Sequence, residues 1–207
     1  MRIVVRNGRR VLLFSSTLAN VGVGPLEVVP RPGKLCPQGQ RRVDQAIYQD
    51  QNANGRFNRS SERLRVLRPS GCMKFHPAHH HWHVNGSARY WLTRPASTEA
   101  LVRHAKVSFC LRDTLRLAGT THKALYGACS RDKRQGISQG WGDIYQWFLP
   151  GQSLRLPSKL PRGIYCLRQL ADPLNVFRES NETDNASVRA LRIVGKRVTY
   201  VDADRCR

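Results

Sequence analysis

Short apolar runs separated by turn residues constrain the fold of this chain more than any other feature. Residues 11–14, 107–111 and 163–170 are such runs, and glycine, proline, asparagine and aspartate recur between them. About ten segments of this kind follow one another, and they do not alternate with the long helical patterns that a parallel sheet requires. The pattern predicts an all-β fold, a β-sandwich with long ordered loops and little helix.

Two local signals add detail to this prediction. Asn7-Gly8 separates the runs 3–5 and 11–14, and this dipeptide favours the type I′ turn of a β-hairpin. Residues 97–104 are the best helix candidate, because Ser97 or Thr98 can cap a first turn that contains Glu99. We therefore expect an N-terminal hairpin and one short helix.

The length of 207 residues suits one domain, which we expect to span residues 1–207. No apolar run approaches the roughly 18 residues of a membrane span. Residues 1–6 lack the apolar core of a signal peptide, and the chain begins directly in a predicted strand. We therefore expect that the start of the given chain is either truncated or wrongly assigned.

The chain is strongly basic, with a net charge of +21 and an isoelectric point near 11.0. Such a charge favours anionic partners, for example acidic cell-surface polymers or lipid head groups. The arginines are scattered rather than grouped into a recognition helix, which argues against nucleic acid as the partner. The charge therefore influences the choice of partner and does not define a function.

Six cysteines are spread widely along the chain, and none forms a Cys-x-x-Cys pair. This spacing argues against a thiolate zinc site or a redox dithiol and favours three disulfides formed in an oxidising compartment. Spacing alone does not determine the pairing. Local order favours Cys110–Cys129, Cys36–Cys72 and Cys166–Cys206.

Five of the seven histidines fall within residues 76–83. In an extended strand, side chains alternate between faces, so His79, His81 and His83 would project together. The three can share one metal ion only if the strand bends or bulges there, since they span roughly 13 Å of extended backbone. Imidazole suits zinc and copper alike, so the cluster alone predicts a transition metal without choosing between them.

Two further segments stand out after the histidines. Lys106, one of only seven lysines, begins the run Lys-Val-Ser-Phe-Cys-Leu-Arg-Asp-Thr. Residues 135–145 read Gln-Gly-Ile-Ser-Gln-Gly-Trp-Gly-Asp-Ile-Tyr and end at Tyr145. Taken alone, Lys106 suits the edge of a strand, and Tyr145 suits a core position with its hydroxyl hydrogen-bonded.

The histidine, lysine and tyrosine segments occur in an order that resembles the catalytic domain of the lysyl oxidase family, in its short microbial form. The resemblance covers about residues 12–195 and includes the segments 160–165 and 177–185. Ala78 stands where the animal enzymes have a cysteine. The resemblance implies a secreted, extracellular or cell-surface copper amine oxidase.

The resemblance also assigns roles to individual residues. It implies that His79, His81 and His83 bind copper, with His76 as a further histidine near the metal. It implies that Lys106 and Tyr145 cross-link into the cofactor lysine tyrosylquinone. Asp143, two residues before Tyr145, is a candidate base.

A calcium site is implied near the end of the chain. The family's calcium-binding turn corresponds to Glu179, Asn181, Asp184 and Asn185, whose oxygen-bearing side chains suit calcium. Asn181 replaces an acid of the family and Asp184 replaces an amide. The family's Asp-Leu ligand, which precedes the first strand, has no counterpart in this chain.

The expected activity is oxidative deamination of primary amines, with lysyl side chains of proteins as the expected substrates. The products would be an aldehyde, ammonia and hydrogen peroxide. The alternative is a non-catalytic metal-binding β-sandwich that adheres to anionic cell-surface polymers. Retention of both Lys106 and Tyr145 favours the enzyme.

Overall fold

Three antiparallel sheets build the fold in the computed structural model, which describes residues 1–32, 35–104, 107–129 and 134–206. The all-β prediction is confirmed. The strands are β1 (Arg2–Arg6), β2 (Arg9–Leu13), β3 (Ser16–Asn20), β4 (Leu26–Arg31), β5 (Gln40–Gln49), β6 (Arg63–His76), β7 (His81–Thr93), β8 (Ala100–Arg103), β9 (Val107–Phe109), β10 (Leu115–Arg116), β11 (Gln135–Ile137), β12 (Trp141–Tyr145), β13 (Ser153–Arg155), β14 (Gly163–Ala171), β15 (Ala186–Val194) and β16 (Arg197–Tyr200).

The large sheet has the order β11-β4-β5-β6-β7-β14-β15-β16, and both β8 and β9 also pair with β7. The two smaller sheets have the orders β1-β2-β13 and β10-β12-β3. One hydrophobic core joins all three sheets. It includes Leu12 and Leu154 from the first small sheet, Leu18 from the second, and Met73 and Leu92 from the large one. The core therefore fixes β7 and β12, which carry most of the predicted catalytic residues.

The N-terminal hairpin forms as predicted, with β1 and β2 paired from Arg2–Leu13 to Arg6–Arg9. Asn7 has φ of 48° and Gly8 has φ of 70°. A type I′ turn requires positive φ at both central positions, which these two residue types tolerate best.

The helix predicted over residues 97–104 is wrong. The local cap contact does form, because the Glu99 N–H donates to Ser97 Oγ at 3.1 Å. The chain then enters β8, in which Val102 pairs with the core residue Leu92 of β7. Pairing of β8 with β7 over the core therefore outweighs the helical tendency of residues 97–104. In the described ranges, helical conformation is limited to two short 3-10 segments, Pro77–His79 and Ala203–Cys206.

The six cysteines form the three disulfides favoured by local order, so that prediction is confirmed. Cys36–Cys72 links the loop before β5 to β6, and Cys166–Cys206 links β14 to the C-terminal 3-10 segment. Cys110–Cys129 ties the end of β9 to the irregular segment that precedes β11.

A buried carboxylate that sequence reasoning did not single out joins distant parts of the chain. Glu27 of β4 is fully buried and accepts hydrogen bonds from Tyr48 and Tyr126, each at 2.7 Å. Arg59 and Arg134 approach the same carboxylate at 2.6 and 2.8 Å. Burial alone would raise the pKa of Glu27, but the hydrogen bonds from the tyrosines and Arg59 lower it below its usual value. These five residues, here called the Glu27 cluster, fasten the segment before β11 to the large sheet.

None of the helical segments in the described ranges has the length and apolar character needed to cross a membrane.

Candidate functional site

The β6–β7 hairpin gathers four of the five clustered histidines. His76 ends β6 and pairs with His81 at the start of β7, while His79 lies in the 3-10 segment between the strands. His80 ends that segment in the left-handed region, with φ of 56°. The expectation of one strand through all three ligand candidates is therefore wrong for His79. The three histidines can share one metal ion because the chain turns at this hairpin, and not because a strand bulges.

The imidazole nitrogens of the three predicted copper ligands converge. Nε2 of His83 lies 3.1 Å from Nε2 of His81 and 3.4 Å from Nδ1 of His79. All three donor atoms lie within 4.8 Å of one another. Nitrogens bound tetrahedrally at about 2.0–2.1 Å from a metal are roughly 3.3 Å apart, so the observed spacing suits a single ion. His79 is exposed, which leaves one side of the cluster open.

The electrostatics favour neutral imidazoles, the form that binds metals. Burial lowers the pKa of His83 to about 4, and the neighbouring histidines lower it further in the same direction. The pKa values of His79 and His81 are also below the usual value, through partial desolvation and, next, the charges of neighbouring histidines, although His79 is largely exposed. His76 stacks on His79 with ring centroids 4.0 Å apart, and its buried Nδ1 has no hydrogen-bond partner.

Tyr145, at the end of β12, lies between two acceptors. Its hydroxyl donates to the carbonyl of Cys110 and contacts Asp143 Oδ2 at 2.5 Å. The ring of Phe109 stacks on the tyrosine ring, with centroids 3.6 Å apart. The expectation of a core tyrosine with a hydrogen-bonded hydroxyl thus describes Tyr145, yet its two acceptors are an unusual pair. The tyrosine hydroxyl has one proton, so it cannot donate a full hydrogen bond to both acceptors at once.

Asp143 is buried and has an altered acidity. Burial raises its pKa to about 6, although hydrogen bonds from Tyr145 and Thr114 oppose the shift. Burial, followed by the charge of Asp143, raises the pKa of Tyr145 well above its usual value. Below about pH 6, a protonated Asp143 can donate to the tyrosine oxygen while the tyrosine donates to Cys110. Above that pH, Asp143 is an acceptor for the phenol proton.

The Cys110–Cys129 disulfide adjoins both parts of the site. Its two sulfurs and a ring nitrogen of His81 lie within 4.8 Å of one another, while the carbonyl of Cys110 accepts from Tyr145. Lys106 lies outside the described residues. The next residue, Val107, begins β9 and pairs with Ala88 of β7.

The predicted calcium ligands lie between β14 and β15, in a segment we call the acidic turn (residues 172–185). Asn185 Nδ2 donates to Glu179 Oε1 at 3.2 Å. Asn181 Oδ1 accepts instead from the backbone and hydroxyl of Thr183, at 3.0 and 2.7 Å. Within the described ranges, three carboxylates nowhere come within 4.8 Å of one another. The structure thus brings these residues into one turn without gathering their oxygens around a point.

The acidic turn contains two more acids that the prediction missed, Asp172 and Glu182. Burial raises the pKa of Glu179 to about 7, and the charges of Glu182, Asp172 and Asp184 add to the shift. Glu182 Oε1 accepts from the Glu179 N–H at 2.9 Å. Asp172 precedes Pro173 in a segment that reads as a plain turn, so only its burial in the structure draws attention to it.

A cavity of about 760 Å³ borders the acidic turn and is separate from the histidine cluster. Its lining includes the segments 20–26 and 45–48, Phe57, and, from the acidic turn, Asp172, Arg178, Glu179 and Asp184. None of the predicted copper ligands, and neither Asp143 nor Tyr145, lines it.

Comparison with protein families agrees with this arrangement, since the sequence model for lysyl oxidase matches residues 51–203. The chain belongs to the lysyl oxidase family. A comparison with curated proteins gave no match. Lysyl oxidase family members are copper-dependent amine oxidases, and the convergent histidines are consistent with that class.

Proposed function

We propose that this protein is a copper- and quinone-dependent amine oxidase that deaminates primary amines, with lysyl side chains of proteins as its substrate class. The observation that carries the proposal is the setting of Tyr145. Its hydroxyl contacts a buried acid of raised pKa, and its other acceptor, Cys110, belongs to the disulfide beside the histidine cluster.

Copper would be held by His79, His81 and His83, which offer neutral nitrogens at suitable spacing. Bound copper would supply the oxidising centre needed to modify a nearby tyrosine. The unpartnered Nδ1 of His76 supports a role for this residue beside the metal, because a buried polar atom without a partner is costly.

Lysine tyrosylquinone, formed from Lys106 and Tyr145, would supply the carbonyl that accepts the amine and its electrons. The remaining work falls to residues of the chain. Phe109 holds the ring of Tyr145 by stacking, and Thr114 donates to Asp143 Oδ1 at 2.9 Å. Fixed in this way, Asp143 can take the phenol proton above about pH 6 and serve as the base for later proton transfers.

Calcium would bind at the acidic turn through Glu179, Asn181, Asp184 and Asn185. Asn181 would first have to exchange its internal hydrogen bonds to Thr183 for the ion. Oxygen donors of this kind suit calcium rather than a transition metal.

The three disulfides support an extracellular or cell-surface location. The net charge of +21 would repel strongly basic substrates unless the mouth of the site is locally acidic. The same charge supports binding to anionic surfaces, so a non-catalytic metal-binding protein that adheres to such surfaces is the second candidate.

The deciding experiment matures the protein aerobically with copper, labels it with phenylhydrazine and maps the peptides. We expect a coloured adduct on a peptide that joins Lys106 to Tyr145, and no adduct in Lys106→Arg. Asp143→Asn should form the adduct at least about a hundredfold more slowly, because it lacks the proton acceptor. Separate, unmodified Lys106 and Tyr145 peptides in copper-loaded protein would favour the non-catalytic candidate.

A further inference from the structure

Asp172, the residue after β14, carries a buried oxygen with an unexplained environment. Only 7% of the residue is exposed. Its Oδ2 accepts from the Phe177 N–H at 2.8 Å, whereas its Oδ1 is buried without any hydrogen-bond partner. Leaving a buried acceptor unpaired is unfavourable, and more so when the group is charged. A missing partner for Oδ1 is therefore the simplest account.

The described residues provide no cationic partner for this oxygen. The chain has 35 lysines and arginines but only 14 acids, and four of those acids are Asp172, Glu179, Glu182 and Asp184. Among the described residues, no arginine or lysine lies within 4.0 Å of any of these four carboxylates. By contrast, the buried acids Glu27 and Asp44 are both paired with arginine. These four carboxylates therefore form no ion pair with a basic side chain among the described residues, even though Arg178 belongs to the same segment.

We propose that Asp172 is a ligand of the calcium ion at the acidic turn and binds it through Oδ1. The inference rests on the calcium site proposed above and is independent of the amine oxidase activity. Asp172 lines the same cavity as Glu179, Asp184 and Asn185, and its Oδ1 is the buried oxygen of this group that has no partner. It supplies a buried carboxylate to a ligand set that lacks the family's Asp-Leu ligand.

The backbone around Asp172 makes it a rigid ligand. Its N–H donates to the carbonyl of Ser87 on β7 at 3.1 Å, and its carbonyl accepts from Asn175 at 2.9 Å. The neighbouring Ala171 donates to the carbonyl of Asn185 at 2.9 Å. An ion held by Asp172 and Glu179 would therefore connect the end of β14 to the turn that leads into β15. Because the site borders an open cavity, calcium can reach it without unfolding of the sheet.

The test measures calcium affinity by isothermal titration calorimetry after removal of metals with a chelator. Asp172→Asn preserves the shape of the side chain and one oxygen for the Phe177 cap. We expect the calcium dissociation constant to rise at least tenfold in this variant. Asp202→Asn is the matched control, since Asp202 also caps a backbone N–H, that of Asp204 at 3.0 Å, and lies outside the acidic turn. The control should bind within twofold of the wild type.

A second measurement uses only the wild-type protein and so does not depend on folding of the variant. On addition of calcium, the ¹³C resonance of the Asp172 carboxylate should shift, while that of Asp202 should not. Calcium binding that is unchanged in Asp172→Asn, or a stationary Asp172 resonance, would overturn the role of Asp172 and leave the calcium site standing. A wild type that binds no calcium would overturn both, without bearing on the quinone.

Discussion

The histidine cluster and the acidic turn are both candidate metal sites, but they differ in how completely they are assembled without an ion. The histidine nitrogens already lie 3.1 and 3.4 Å apart. The carboxylates of the acidic turn lie in one segment, and those of Asp172, Glu179 and Asp184 line one cavity, but they do not converge. The first site is carried by a strand hairpin, and the second by a loop between two strands.

Charge explains the difference. Neutral imidazoles can contact one another, because one ring nitrogen donates and another accepts. Carboxylates can only repel until a proton or a cation comes between them, and the raised pKa of Glu179 records that repulsion together with burial. Bringing the ligands together before the metal binds therefore costs little free energy in a histidine site and is unfavourable in a carboxylate site. Three predictions follow from this contrast.

The largest effect is expected from loss of a single converging histidine. His83→Asn should weaken copper binding by at least about a hundredfold, since it removes the nitrogen shared by both short contacts. His80→Asn is the matched control, because His80 is exposed and asparagine tolerates its left-handed backbone. Competition with a copper chelator measures both affinities. Equal loss in the two variants would mean that His83 is not a specific ligand.

Acidification should release the two metals in a fixed order. The pKa of Glu179 is raised to about 7, so below pH 7 a proton competes with calcium, and calcium affinity should fall about tenfold from pH 8 to pH 6. The pKa of His83 is lowered to about 4, so protons compete with copper at this residue only near that pH. Dialysis at stepwise lower pH followed by metal analysis should show calcium leaving first. Release of copper at a higher pH than calcium would contradict the proposed difference between the histidine cluster and the acidic turn.

The smallest expected effect tests the repulsion between carboxylates in the acidic turn. In calcium-free protein, Asp184→Asn should raise the melting temperature by about 1–3 °C, because it removes an exposed charge near Glu179. In saturating calcium, the same variant should melt below the wild type, since a neutral amide oxygen binds calcium more weakly than a carboxylate does. Differential scanning fluorimetry in both buffers measures whether the shift in melting temperature relative to the wild type changes sign. A destabilised variant in both buffers would show that repulsion in the acidic turn is negligible.

Local chemistry made part of the fold predictable from sequence. Asn7-Gly8 determines its own turn, and pairing the cysteines in chain order gave the observed disulfides, although their spacing alone left the pairing open. The helix over residues 97–104 failed because Ser97 gives the same cap contact in a turn as in a helix. Only the distant partner of Val102, Leu92, decides between the two.

The sites show the same limit. The histidine, lysine and tyrosine segments carry recognisable spacing, whereas the turn that displaces His79 from the strand depends on the left-handed backbone of His80. Asp172 and Glu27 carry no sequence motif at all. Their importance comes from burial and from partners far away in the chain, which spacing does not reveal.

The Glu27 cluster has a consequence for the order of folding. Its bonds to Tyr126 and Arg134 close separations of 99 and 107 residues, and contacts so distant in sequence form slowly. Burying the carboxylate before its donors arrive would leave an uncompensated charge, at a cost of several kcal/mol. We therefore expect the cluster to form late, when the segment before β11 docks. That segment carries Cys129, so the same docking step presents it to Cys110, and the pocket around Tyr145 takes shape at the end of folding.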